Sequence, residues 1–183
     1  MRRLGGGFLA ALIVAASLVA AAATAAKAPT LALHVFKRSA HNYDTLPKVA
    51  RKVGSVQVAR RVATALDAKR RPYLVYATLM RDKSVCVVLI QSNTYGARCA
   101  PEGAFFQQGR QTFSVIKGLI AGVASDSVRK VVLVGQTARK TLALSKDGGY
   151  IYGCPAPTNC ATWVREVLGY NAKGKLVSTE RTH

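Results

Sequence analysis

The chain has 183 residues and carries 27 lysines and arginines against 8 aspartates and glutamates, a formal net charge of +19. Its length suits a single domain with a core of its own, and its charge favours anionic surfaces as partners. Acidic residues are too few to supply an obvious carboxylate pair for glycoside chemistry, since Asp82, Asp126 and Asp147 fall in expected turns.

Met1-Arg2-Arg3 opens the chain, and an uncharged apolar run follows from Phe8 to Ala26, with the small-x-small site Ala23-Thr24-Ala25. This order of charge, apolar stretch and small residues predicts export by a signal peptide over residues 1–26. The run is also close to the ~20 residues that span a bilayer, so an uncleaved N-terminal anchor is the second reading. Both place the rest of the chain outside the cytoplasmic membrane. No cysteine occurs before Cys86, which argues against a lipid-modified N-terminal cysteine.

Residues 27–36 read as an apolar linker ending in an edge strand. The segment 37–72 is basic. Within it Val58, Val62, Ala65 and Leu66 recur at i, i+4, i+7 and i+8, which predicts an amphipathic helix over Val58–Arg71 that ends at Pro72. A shorter helical turn fits Leu46–Val53. From Tyr73 to the end the pattern is β. Strands are expected at 73–80, 85–91, 112–117, 119–124, 128–134, 141–145, 150–153, 163–170 and 176–179, with 92–109 as a loop. Asn171-Ala172-Lys173-Gly174 has the chemistry of a hairpin turn. The expected fold is therefore mainly β with a short N-terminal helical region (α+β), an antiparallel sandwich or small barrel over 73–183 that forms one unit with 37–72.

Four cysteines in an exported chain predict two disulfides, and the spacing favours Cys86 with Cys99 and Cys154 with Cys160. Zinc is the competing reading, but neither spacing matches the close pairs of a four-thiolate site. No catalytic, cofactor-binding or metal-ligating set stands out, and no cofactor is expected. His41 and Asp44 suggest a base with its orienter, although a basic loop with one stray acid explains them as well. The residues with the clearest functional character are the cations Lys48, Arg51, Lys52, Arg60, Arg61, Lys69, Arg70 and Arg71. On a helix and its flank they would form a face for phospholipid, a phosphate-bearing wall polymer or extracellular nucleic acid. A protein partner is a further option.

Several pieces of the chain resemble a group of small secreted proteins of unknown function from high-GC, actinobacterial-type bacteria. They are FKRSAHNYDTLP (36–47), ARRVA (59–63), SVCVVLI (84–90) with Cys99, AGVASDSVRKVVLV (121–134) and GYNAKGKLV (169–177). The resemblance implies a secreted β-domain with a Cys86–Cys99 bridge and implies no activity. The expected function is a non-enzymatic extracytoplasmic module that binds an anionic envelope component. The alternative is a secreted hydrolase whose site is assembled from residues distant in sequence.

Overall fold

A computed structural model of the chain describes residues 31–101, 103–116, 118–154 and 159–181. The expected export segment 1–26, the first residues of the linker and His183 lie outside them. The described residues are mainly antiparallel β-structure. Eleven strands run as β1 (Val56–Leu66), β2 (Pro72–Met80), β3 (Val85–Gln91), β4 (Thr94–Ala100), β5 (Gln111–Ile116), β6 (Leu119–Ala124), β7 (Lys130–Gly135), β8 (Arg139–Leu142), β9 (Gly149–Gly153), β10 (Val164–Tyr170) and β11 (Leu176–Arg181). They form three sheets, ordered β1-β2-β3-β4, β5-β6-β9 and β11-β10-β7-β8.

The near-continuous apolar runs of β3 and β6 explain how the sheets stack. A strand covered on both faces needs no polar alternation. In β3, Val85, Val87 and Leu89 pack on one face with Leu119, Ala121 and Val123 of β6. Its other face, with Val88 and Ile90, is covered by Leu46 and Ala50. In turn Ile120 and Ala124 of β6 pack on Val131, Leu133, Val164 and Val167 of the third sheet. The β5-β6-β9 sheet is therefore the middle layer. Gly149 permits its close approach to the first sheet, since a Cβ there would sit 2.6 Å from the Val62 carbonyl oxygen.

The segment expected to be helical from Val58 to Arg71 is strand β1 followed by a hairpin turn. Val56, Val58 and Val62 satisfy an even spacing as well as a helical one, and their branched Cβ atoms favour the extended chain. β1 pairs with β2 from Val56↔Met80 to Leu66↔Pro72. The second half of the basic segment thus shares a sheet with the three strands that follow it. Asp67 shapes the turn, its Oδ1 accepting from the amides of Lys69 at 2.8 Å and Arg71 at 2.7 Å. Arg70 at its tip has a left-handed φ of 59°. Arg70 and Arg71 complete a turn here and Pro72 opens β2, so the three do not end a helix.

Two more expectations are corrected. Residues 31–36 are neither linker nor edge strand. They carry a short 3₁₀ turn, His34–Phe36, and Leu33 and Val35 are buried in the core between the first two sheets. The loop expected over 92–109 contains β4, which pairs with β3 along its length. The 3₁₀ segment Lys48–Val53 agrees with the expected helical turn. The hairpin at 171–174 also forms, with Asn171 Oδ1 accepting from the amides of Lys173 and Lys175 and Gly174 at φ 74°.

Both expected disulfides are present, Cys86–Cys99 and Cys154–Cys160. The first joins directly opposed residues of β3 and β4. With its ends 13 positions apart, such a crosslink contributes about 3 kcal/mol in the chain-entropy description. The second fastens the helical turn Cys160–Trp163 to the end of β9.

Burial of Leu33 predicts that Leu33→Ala lowers stability by about 2–5 kcal/mol. Urea unfolding checks this, and a change below about 0.5 kcal/mol would restore the reading of this segment as a linker.

Candidate anion-binding site

The structure divides the eight expected cations into three groups. Lys48, Arg51 and Lys52 are exposed on the 3₁₀ segment that covers the outer face of the first sheet. Arg60 and Arg61 lie within β1. Lys69, Arg70 and Arg71 form the tip of the β1–β2 hairpin. Arg51 stands beside Val56 at the start of β1, whereas the hairpin tip lies past Leu66. A strand of this length separates them by roughly 35 Å, so the eight do not share one face.

Arg60 and Arg61 are internal participants. At the bulge in β1 between Arg61 and Ala63 the Arg61 amide turns outward and donates to Asp44 Oδ1 at 2.8 Å. Asp44 is buried and also accepts from the Arg38 guanidinium at 2.7 and 2.9 Å and from the His41 amide at 2.8 Å. Arg38 Nη2 reaches the Arg61 carbonyl at 3.4 Å. Together Arg38 and Asp44 therefore donate to and accept from the edge of β1, as a neighbouring strand would. Arg60 donates to the carbonyls of Ala59 and Arg38. The Arg61 guanidinium stacks 4.3 Å from the Tyr43 ring centre. His41 serves Asp44 through its backbone, and its ring stacks on Tyr43. This is a structural clamp and not a base with its orienter.

Burial by itself would push the Asp44 carboxyl up. The Arg38 guanidinium and the amides of His41 and Arg61 outweigh it and hold the group well below the usual carboxylate range.

His34, which the sequence did not single out, joins the same seam. Its Nδ1 lies 2.6 Å from Asp126 Oδ1 and its Nε2 2.8 Å from the Lys146 carbonyl oxygen. Its backbone amide donates to Asp126 as well. With both ring nitrogens held, this histidine ties the N-terminal arm to the β6–β7 and β8–β9 connections. The signal missing from the sequence was proximity, since His34 and Asp126 are 92 residues apart.

At the hairpin tip the geometry is different. A cleft of about 760 Å³ is walled by Ala65, Leu66 and Tyr73 of the hairpin and by Leu119 and Ile151 of the middle sheet. Lys69 and Arg71 stand on its rim. Arg71 Nε pairs with Asp67 at 2.7 Å, while Lys69 and Arg70 have no ion pair among the described residues. Leu66 is 58 % exposed, the most exposed of the large apolar side chains among the described residues. An apolar trough rimmed by unpaired Lys69 and by the Arg71–Asp67 pair suits a molecule that is greasy at one end and anionic at the other. Of the eight expected residues the structure brings together Lys69 and Arg71 here, with Arg70 beside them. Leu66 was visible in the sequence, but its exposure at a loop tip follows only from the hairpin.

No helix among the described residues is long and apolar enough to cross a membrane. The chain matches no family model, no curated protein and no solved structure.

Because the Asp44 carboxyl is held below its ordinary value of 3.8, the stability it supplies is complete above that value and is lost as pH falls through the depressed one. Asp44→Asn removes the two hydrogen bonds that hold the Arg38 guanidinium, leaves it only Asp147 at 3.4 Å, and lowers stability at neutral pH by about 3 kcal/mol. It also flattens the fall in stability between about pH 4 and pH 2. Denaturant midpoints of both proteins across that range test the assignment, and parallel acid limbs would overturn it.

Proposed function

We propose that this protein is a non-enzymatic binding module that docks on an anionic phospholipid surface outside the cytoplasmic membrane, using the β1–β2 hairpin tip. The observation that carries the reading is the coincidence of exposed Leu66, at the end of β1, with Lys69, Arg70 and Arg71 in the turn that follows it. Phospholipid fits this combination better than nucleic acid or a wall polymer, which would use the cations but not the leucine. Two disulfides are consistent with an oxidising compartment, and the charge of +19 draws the domain to a negative surface. In this reading the tip lies at the headgroup level. Each nearby cation contributes about 1 kcal/mol before screening, and burial of Leu66 adds about 1.5–3 kcal/mol. Lys48, Arg51 and Lys52, at a distance from the tip, add long-range attraction only. The resemblance to secreted proteins of high-GC bacteria supports the location and is silent on the ligand.

Vesicle co-sedimentation with phosphatidylglycerol against phosphatidylcholine tests the proposal. The protein is expected to bind the anionic vesicles and to release them as salt rises. Lys69→Glu with Arg70→Glu should weaken binding at least about thirtyfold. Leu66→Ser should weaken it about tenfold with an unchanged salt slope. Binding that survives the double charge reversal, or that favours wall polymer or DNA over vesicles, overturns the assignment.

A further inference from the structure

A second cleft, of about 570 Å³, opens at the other end of the stack, where Ala100 ends β4 and Gln111 begins β5. The register places it opposite the hairpin tip: Ala100 pairs with Val85 at the start of β3, whereas the tip end of that strand is Gln91. Its lining includes Arg98, Arg110, Gln111, Thr112 and Glu180.

Three features point to a ligand. First, Arg98 and Arg110 present two guanidinium forks to one opening. Arg98 is steadied over the Phe113 ring, 4.9 Å from its centre, and Arg110 by Gln107 Oε1 at 3.1 Å. Neither is ion-paired among the described residues. Second, Glu180 on β11 has no ion pair within 4.0 Å, although both arginines act on it electrostatically. Its burial pushes the carboxyl up, with Arg110 and Arg98 opposing. Third, Gln111 is 3 % exposed and its Nε2 donates to the Val167 carbonyl at 2.8 Å, yet its Oε1 is buried without a partner. A buried acceptor left unmatched is costly, and Gln111 Oε1 is one of five buried side-chain atoms without a hydrogen-bond partner among the described residues. Two anion-directed forks thus face the same opening as a carboxyl with no ion pair within 4.0 Å, and an unmatched acceptor lies buried beside it.

We infer that this cleft binds a small organic acid of about monosaccharide or dipeptide size that carries N–H or O–H donors beside its carboxylate. The carboxylate meets Arg98 and Arg110 in the bidentate manner of guanidinium recognition. The neighbouring donors meet the Glu180 carboxylate. A donor-free acid would leave that carboxylate unmatched and bind less tightly. The inference is independent of membrane docking, which uses the opposite end of the molecule.

Calorimetric titration of the purified protein with glucuronate, glycyl-alanine, cyclohexanecarboxylate and inorganic phosphate decides it. Glucuronate or glycyl-alanine is expected to bind at one site, at least about tenfold more tightly than cyclohexanecarboxylate or phosphate. Arg98→Ala with Arg110→Ala, both exposed positions, should abolish that binding while vesicle docking persists. Glu180→Gln separates the sources: it weakens glycyl-alanine, whose ammonium needs the carboxylate, and spares glucuronate. No binding of either donor-bearing acid up to about 10 mM, equal binding of cyclohexanecarboxylate, or binding retained in the double arginine variant would each overturn the inference.

Discussion

The pairing of Arg38 with the buried carboxylate of Asp44 is the contact on which the arrangement of the first sheet rests. Among the described residues β1 is an edge strand with β2 as its one ladder partner, and an unsatisfied strand edge invites further pairing. The bulge after Arg61 turns one amide outward, and Asp44 accepts it while Arg38 donates to the carbonyl of the same residue. A salt bridge between residues six apart thereby occupies the edge without adding a strand. The same pair holds the arm 38–44 over β1. From there the arm continues into Leu46 and Ala50, which cover the outer face of β3. A surface ion pair would contribute little to this. Here both partners are largely buried and hydrogen-bonded on several sides, so loss of either leaves the other a buried charge with only a longer pairing, Arg38 to Asp147 or Asp44 to Arg60.

With the arm in place, the first sheet is covered on both faces and the middle sheet lies between two others. That accounts for strands such as β3 and β6 that carry hardly any polar residues. It also explains the seam from Asp126 through His34 to Asp147 and Arg38, where Asp147 lies 3.9 Å from His34 and 3.4 Å from Arg38. Few acids exist in this chain. Three of the five aspartates, Asp44, Asp126 and Asp147, join the N-terminal arm to the body of the domain. The excess of positive charge is left to the outer surface and the ends of the stack, where the two clefts open.

Those ends differ in chemistry because different elements reach them. The hairpin end carries exposed Leu66 as the last residue of β1 and three successive cations in the turn, so its character is amphipathic. At the far end the termini of β4, β5 and β11 bring arginines, a glutamine and a glutamate around a polar hollow. A surface contact at one end and a small acid at the other do not compete for the same groups.

Most of the strands were legible from Tyr73 onward, because branched and aromatic runs bounded by Asp, Asn and Gly turns are local signals. The disulfides were legible for the same reason, their partners being 13 and 6 residues apart. β1 was not. Val58 and Val62 fit two periods at once, and only pairing with β2 selects the extended one. β4, with Gly96, Ala97 and Arg98, has weak strand propensity and forms because β3 and the Cys86–Cys99 bridge hold it in register. Of the cation set, the sequence identified the charge but not its division. Arg60 and Arg61 are drawn inward by Asp44, while Lys69 and Arg70 remain at the surface. What the sequence by itself determined was the β-rich class, the two bridges and the strongly basic surface, all encoded within short windows or in composition. The stacking of three sheets, the clamp around Asp44 and the lining of both clefts were decided by tertiary structure, because each depends on side chains that meet only after distant strands have paired.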